Sequence, residues 1–172
     1  MYHRIIVSAL LLLCACSKKT SDTDGSTGTK LTAGDLMRPT GNGRTWSVTT
    51  IRLTYNNAAG QVDSTITPVS DGYDKEVWFG DNRGVNGLNE VYFADSVLVN
   101  YMPVTGSWSL DQARQNISFQ CIQGFCNPDR SSSWQVGGFS ANAYGASFEL
   151  TRTQSLPNSR SVHQYIRLFS EP

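Results

Sequence analysis

The sequence predicts an all-β domain that folds as an antiparallel up-and-down β-barrel, with a β-sandwich as the runner-up. β-Branched and aromatic residues occur in short runs separated by Gly, Asn, Asp and Pro, which is the pattern of strands and turns. Apolar and polar residues alternate within 117–121 and 147–151, so one face of each strand is expected to be buried. Because a series of hairpins loses its exposed edges when the sheet closes on itself, the pattern favours a barrel.

The predicted strands follow one another along the chain. The first spans Thr45 to Tyr55, and its apolar face changes phase between Val48 and Ile51, which indicates a bulge. The loop 56–60 then forms a hairpin into the second strand. The further predicted strands are Val62–Thr67, Glu76–Phe79, Glu90–Phe93, Val97–Tyr101, Trp108–Leu110, Ile117–Cys121, Trp134–Phe139, Ser147–Thr153 and Val162–Phe169.

Residues 1–15 are predicted to be a signal peptide, because Arg4 precedes a short uncharged apolar run. That run is too short for a permanent span, which needs about 20 residues. The residues Leu13-Cys14-Ala15-Cys16 resemble the lipobox of bacterial lipoproteins, with small Ala15 directly before Cys16. We therefore expect Cys16 to carry a lipid anchor and the protein to contact the membrane only through it.

The mature chain is expected to consist of a flexible tether over residues 16–36 and one barrel domain over residues 37–172. The tether is built from Ser, Thr, Lys, Asp and Gly, and such a composition does not offset the entropy cost of ordering. The lipobox resemblance implies a bacterial cell envelope, and the location that we expect is the outer membrane of a Gram-negative bacterium. The periplasmic and surface faces of that membrane both stay open as locations.

The charge of the mature chain argues against nucleic acid as a partner. Removal of residues 1–15 leaves 157 of the 172 residues, with 13 of the 14 basic side chains and all 14 acidic ones. A nearly balanced charge provides no field that would gather a polyanion.

Four segments carry a resemblance to a known family. They are Gly106-Ser107-Trp108-Ser109-Leu110-Asp111, Ile117-Ser118-Phe119, Trp134-Gln135-Val136 and Phe148-Glu149-Leu150-Thr151. In this order they resemble the lipocalin-like domains of Gram-negative lipoproteins, with Gly106, Trp108 and Trp134 as the fold motif. Trp46 resembles the opening tryptophan of the first strand. The resemblance implies a calycin-type barrel that sometimes holds a small apolar molecule.

The barrel interior allows two alternatives. An eight-stranded barrel is either filled by its own side chains or holds one small ligand. If a cavity exists, its candidate lining residues are Trp46, Trp108, Trp134, Phe119 and Phe148. The sequence does not decide between a filled and an open lumen.

Cys121 and Cys126 are predicted to form a structural disulfide, since disulfides persist in the periplasm. The bridge would close a short loop and stabilise the fold by about 2 kcal/mol on the chain-entropy estimate. Redox and zinc roles are less favoured, because the spacing is not C-x-x-C and too few further ligands exist.

The sequence offers little equipment for catalysis, so we expect no enzyme, no cofactor and no metal site. His163 is the only histidine left after processing, and it alternates with Tyr165 and Arg167 on the last strand, so we expect neither a catalytic triad nor a multi-histidine metal site. Acidic clusters around Asp71 and Asp81 do not match the EF-hand spacing and are explained by turn chemistry.

Two functions are consistent with these observations. The first is a non-catalytic barrel that binds a small hydrophobic or amphipathic ligand. The second is an interaction or scaffold module with a solid barrel, which binds an envelope protein or a glycan through its loops or outer wall. An exposed aromatic patch of the kind that interfaces prefer would support the second function. The candidate residues for that patch are Tyr73, Trp78, Tyr92, Tyr101 and Tyr144.

Overall fold

The computed structural model describes residues 30–37, 43–68, 76–82, 88–94, 102, 105–122 and 130–172. It contains one short helix, α1 (Ala33–Leu36), and nine strands in these parts of the chain. The strands are β1 (Arg44–Asn56), β2 (Val62–Ile66), β3 (Glu76–Asn82), β4 (Leu88–Phe93), β5 (Thr105–Asp111), β6 (Asn116–Cys121), β7 (Ser132–Asn142), β8 (Gly145–Ser155) and β9 (Ser161–Ser170).

Eight of these strands form a closed antiparallel up-and-down barrel, which confirms the predicted fold class. β3 to β9 pair with their neighbours in chain order. β1 closes the barrel, because it pairs with β3 over Arg44–Ser47 and with β9 over Ser47–Asn56. No helix in the described ranges is both long and apolar enough to cross a membrane.

Two bulges keep large side chains directed into the barrel. The predicted phase change in β1 is confirmed as a register shift against β9 between Val48 and Thr50. A second shift, between Gly137 and Ser140 of β7, brings Phe139 onto the buried face. An extra residue moves the alternation by one place, so the same face of each strand stays apolar on both sides of the bulge.

Several strands in the structure are longer than the predicted segments. β3, β7 and β8 each continue beyond the predicted segments, because hairpin pairing proceeds through polar residues that carry no burial signal. The predicted strand Val97–Tyr101 lies outside the described residues.

One end of the barrel is closed by residues 31–37, which we term the N-terminal plug. α1 begins at a capping box in which Thr32 accepts a hydrogen bond from Asp35 N and the Asp35 carboxylate accepts one from Thr32 N. Leu31 and Leu36 are fully buried in the barrel core. The plug therefore belongs to the folded domain, although the sequence places residues up to 36 in the flexible tether.

Side chains from the barrel hold the plug in place. The Trp46 indole nitrogen donates to Leu36 O over 3.1 Å. Gln115, in the β5–β6 turn, accepts from Leu31 N at 2.8 Å and donates to Leu31 O at 3.1 Å. Because these bonds satisfy backbone groups that would otherwise be buried unpaired, they fix the plug against the barrel end.

The opposite end of the barrel, which we term the distal end, carries an extension. The last residue pair between β7 and β8 joins Gln135 to Thr151, yet β8, β9 and β1 continue to pair with one another beyond it. β2 then joins the end of β1. We term this four-stranded extension, residues 52–56, 62–66, 151–155 and 161–165, the distal ribbon.

Substitution of Gly80 in β3 measures how tightly Trp78 packs against the outer wall. A Cβ at Gly80 would lie 1.8 Å from Trp78 Cη2, whereas a Cβ at Gly137 would meet nothing within 4 Å. We expect Gly80→Ala to lower the free energy of unfolding by about 1–3 kcal/mol, because the Trp78 indole must move away from its packed position over Gly80. Gly137→Ala should change it by less than about 0.5 kcal/mol. Urea unfolding measures both values. An equal loss from Gly80→Ala in a Trp78→Ala background would contradict this explanation.

Candidate functional site

The barrel lumen is the first candidate site, and a connected set of aromatic rings occupies it. The Phe79 ring lies 5.7 Å from Trp108, 6.2 Å from Phe119 and 6.4 Å from Phe148, measured between ring centroids. Trp46 meets Phe148 edge to face at 4.7 Å. These five rings come from five strands, so the network crosses the interior of the barrel.

Phe93 extends the network, with its ring centroid 5.1 Å from that of Phe119. Such aromatic pairs contribute about 0.5–1.5 kcal/mol each beyond the burial of their area. Each of the six rings is at most 3% exposed. The lumen in this region is therefore lined and filled by the same side chains.

The predicted fold-motif residues contact the core rather than a separate site. The Trp108 indole nitrogen donates to Gly80 O over 3.3 Å, which joins β5 to β3 across the interior. Gly106 is buried opposite Cys121. Trp134 is buried near the distal end, and its indole nitrogen donates to Ser132 Oγ over 3.0 Å.

The five candidate lining residues, Trp46, Trp108, Trp134, Phe119 and Phe148, all lie on the buried side of their strands. The structure brings four of them into the aromatic network and leaves Trp134 as a separate aromatic surface toward the distal end.

Trp134 forms one side of a polar group at the distal end. The Arg152 guanidinium carbon lies 4.5 Å from the Trp134 ring centroid, in a cation–π arrangement. Arg152 Nε donates to Gln164 Oε1, and Gln164 Nε2 donates to Gln154 Oε1 over 3.5 Å. Gln164 is only 2% exposed and Arg152 is partly exposed, so this group places a buried amide beside a partly buried guanidinium.

Burial also changes the electrostatics of this group. Desolvation lowers the pKa of Arg152 from its ordinary value, since an apolar environment disfavours the charged form. An arginine nevertheless stays protonated at neutral pH. The distal end therefore holds a positive charge between the Trp134 ring and the Gln164 amide.

The outer wall was the second candidate site, through its predicted aromatic patch. Tyr92 is 47% exposed on β4 and Tyr144 is 85% exposed in the β7–β8 turn. The Trp78 ring lies over Gly43 and Gly80, which explains why this side chain is half-buried. Tyr73 and Tyr101 lie outside the described residues. The described tyrosines are thus on separate elements, and Trp78 packs as part of the wall.

A polar cluster covers the outer wall of β8, β9 and β1. The Tyr165 hydroxyl donates to Glu149 Oε1 over 2.8 Å, and the Arg52 guanidinium lies 4.8 Å from the Tyr165 ring centroid. Burial and the bond to Glu149 raise the pKa of Tyr165. His163 is exposed and pairs with Thr153 at 3.2 Å, so it stands on the outer wall.

The predicted lipid and disulfide sites lie mostly outside the described residues. Cys16 and Cys126 belong to those segments, so the anchor and the bridge stay predictions. Cys121 ends β6, and its sulfur accepts a hydrogen bond from Arg130 N over 3.3 Å. Within the described parts of the chain, no three His, Cys, Asp or Glu side chains come together as a metal site.

The chain was compared with protein-family models, curated proteins and solved structures. No protein-family model, curated protein or solved structure matches the chain. An eight-stranded antiparallel barrel is consistent with the lipocalin-like resemblance, and the barrel is the level at which the fold is established.

Sequence reasoning missed the distal polar group and the plug. A signal for the first was present, because Arg152 and Gln164 occupy inward positions in otherwise apolar alternations, after Phe148 and Leu150 in β8 and between Val162 and Ile166 in β9. A polar residue on a buried face requires a partner, and the two residues face each other across the strands.

Proposed function

We propose that the chain is a non-catalytic lipoprotein of the Gram-negative cell envelope, anchored through Cys16 to the outer membrane, and that its lipocalin-like barrel is a solid scaffold. In this proposal the barrel presents its loops and outer wall to an envelope protein or a glycan. The aromatic network that fills the lumen is the observation that carries the proposal.

The network supports a structural interior because a ligand would have to displace rings that contact one another. Phe79 alone contacts three other aromatic rings. Moving such a ring aside forfeits its packing on several sides and forces neighbouring side chains out of favourable rotamers. A molecule as large as a fatty acid would require several such movements at once.

The position of the plug determines where the proposed tether joins the barrel. The anchored segment enters the barrel at Lys30 and Leu31, beside the β5–β6 turn. The lipid on Cys16 would therefore lie within about 50 Å of the plug end, which is the reach of 14 extended residues.

A second candidate function is the binding of a small amphipathic molecule at the distal end. The observation that favours it is the group formed by Trp134, Arg152 and Gln164, which combines an aromatic ring, a partly exposed guanidinium and a buried amide. In this alternative the apolar part of the molecule would contact Trp134, and its polar atom would contact the Arg152 guanidinium.

Replacement of Phe148 by alanine separates a filled lumen from an open one. If the rings fill the lumen, the wild-type protein should exclude a small apolar probe such as benzene, whereas Phe148→Ala should create a dry cavity that binds it. Ligand-observed NMR and native mass spectrometry measure the binding. Tyr144→Ala, which removes an exposed ring, should bind no more benzene than the wild type.

Saturable binding of benzene or of a fatty acid by the wild-type lumen would overturn the solid-barrel proposal. Loss of that binding in Trp134→Ala or Arg152→Ala, with Phe148→Ala unaffected, would support the distal-end alternative instead.

A further inference from the structure

Two exposed arginines lie close together on the outer wall of β1, β9 and β8. Side chains from the three strands form rows across this wall, and two neighbouring rows are Thr50, Arg167 and Glu149, and Arg52, Tyr165 and Thr151. We term these six residues the arginine face. The residues between them, Ile51, Ile166 and Leu150, are buried in the core, so the six side chains point outward.

Both arginines are exposed and neither has an anionic partner within the described ranges. The Arg52 guanidinium lies over the Tyr165 ring, 4.8 Å from its centroid. Neither Arg52 nor Arg167 forms an ion pair with a described carboxylate. Arg52 faces Tyr165, and Arg167 follows two residues later on the same strand, so the two arginines are diagonal neighbours with Cα atoms about 7–8 Å apart. Their long side chains can therefore reach the same anionic group.

The acid that faces Arg167 is engaged elsewhere. Glu149 lies directly opposite Arg167 in register, where an ion pair would be expected. Its Oε1 instead accepts a hydrogen bond from the Tyr165 hydroxyl over 2.8 Å. Its carboxyl carbon lies beside Gly138, since a Cβ there would be 3.0 Å from it. Tyr165 therefore holds this carboxylate and leaves the Arg167 charge uncompensated.

We propose that the arginine face binds a carboxylated polysaccharide, with one sugar carboxylate held between Arg52 and Arg167. The assignment rests on the proposed function, because it gives the outer wall one class of partner. Guanidinium groups bind carboxylates through charge-assisted, often paired hydrogen bonds. Thr50 and Thr151 lie beside them, and threonine hydroxyls both donate to and accept from the hydroxyl groups of a sugar.

The composition of the face favours a glycan over a protein. Interfaces between proteins are centred on large aromatic or apolar side chains that become desolvated. In the described parts of the chain, the exposed side chains of this kind lie in β2, β4 and the β7–β8 turn, and none lies in β1, β8 or β9. Nucleic acid is disfavoured by the balanced charge of the chain. Charges and hydroxyl groups are what this wall offers, and an acidic sugar chain carries the matching groups.

Titration with three hexamers tests the class of partner. The protein is the full chain, purified from membranes of a Gram-negative host in neutral detergent. Isothermal titration calorimetry at low salt should give hexagalacturonate a dissociation constant of about 0.1–1 mM. An uncharged galactose hexamer and hexaglutamate should each bind at least roughly tenfold more weakly. Absence of hexagalacturonate binding up to about 10 mM would overturn the proposal. Equal binding of hexaglutamate would overturn the assignment to a glycan.

Removal of both arginines tests the site. The double variant Arg52→Gln, Arg167→Gln should weaken hexagalacturonate binding at least about tenfold, because both charged donors are lost. Arg114→Gln is the matched control, since it removes the same charge from an 80% exposed side chain in the β5–β6 turn. It should leave the constant within about twofold. Added salt should weaken wild-type binding more than that of the double variant. Equal losses in the control and the double variant would indicate non-specific attraction and contradict the site.

Replacement of Tyr165 by phenylalanine tests how the face is kept cationic. Without the hydroxyl, Glu149 is released to pair with Arg167, so hexagalacturonate binding should weaken about two- to fivefold. Adding Glu149→Gln to Tyr165→Phe should restore wild-type binding or exceed it. If Tyr165 only supported the wall, the second substitution would restore nothing, and that result would refute its role in positioning Glu149.

Failure of the arginine face can be told apart from failure of the solid scaffold. Entry of benzene into the wild-type lumen would refute the scaffold and leave binding at the wall intact. A lumen that excludes benzene in a chain that ignores hexagalacturonate would refute the arginine face alone. Loss of hexagalacturonate binding in Arg152→Gln, with the double variant unaffected, would place the anion at the distal end and overturn the proposal.

Discussion

Replacement of Phe79 by alanine is expected to lower the free energy of unfolding by about 3–5 kcal/mol. Phe79 is fully buried and its ring contacts those of Trp108, Phe119 and Phe148, so truncation leaves a cavity at the centre of the network. In a domain of this size the melting temperature should fall by roughly 10–20 °C. Thermal unfolding followed by circular dichroism measures the change.

Tyr92→Ala is the matched control for Phe79→Ala. It removes an aromatic side chain of similar size from the outer wall, where nearly half of its surface meets water. We expect a change within about 0.5–1 kcal/mol. Similar losses for the two variants would mean that the rings inside the barrel are no better packed than a surface side chain, which contradicts a filled lumen.

Replacement of Cys16 by serine is expected to abolish lipid attachment completely. The thioether that would carry the lipid cannot form on a hydroxyl side chain at this position, so labelled palmitate should no longer appear on the protein. Cys14→Ser should keep the full label, because bulky Leu13 makes cleavage before Cys14 unfavourable. Metabolic labelling and the intact mass of the purified chain measure both outcomes.

The opposite pattern, with label lost in Cys14→Ser and kept in Cys16→Ser, would move the anchor to Cys14. A wild-type chain without any label would refute the lipoprotein assignment. The second outcome would not affect the barrel, since the plug and the strands are held by contacts among residues 30–172.

The closed antiparallel barrel could be predicted from the sequence because alternation is a local signal. Buried and exposed residues alternate along β6 and β8, and the loss of phase in β1 located a real bulge. Period-2 alternation fixes which face of a strand is buried without any knowledge of its partner.

The plug could not be predicted, because the interactions that order it come from distant parts of the chain. Leu31 and the pair Leu36-Met37 are the few large apolar residues at the end of a polar stretch, and such composition is typical of a tether. They become ordered through Trp46 and through Gln115, which lies 84 residues after Leu31. No local pattern encodes a contact at that separation.

The candidate sites could be predicted only in part, because they too depend on contacts between residues that are far apart in the sequence. Aromatic residues on strands were expected in the interior, yet whether they fill it depends on how rings from different strands meet. The position of the Trp78 ring likewise requires glycine at 43, directly before β1, and at 80, in β3. Such complementarity is a property of the closed barrel rather than of any single segment.

A crystal structure of the chain isolated from its native membrane tests the filled lumen most directly. The expected result is an interior occupied by six aromatic rings, with no density between them that the chain does not explain. These are the rings of Trp46, Phe79, Phe93, Trp108, Phe119 and Phe148. An elongated foreign density enclosed by these side chains, with Phe79 or Phe148 rotated away from the others, would contradict it.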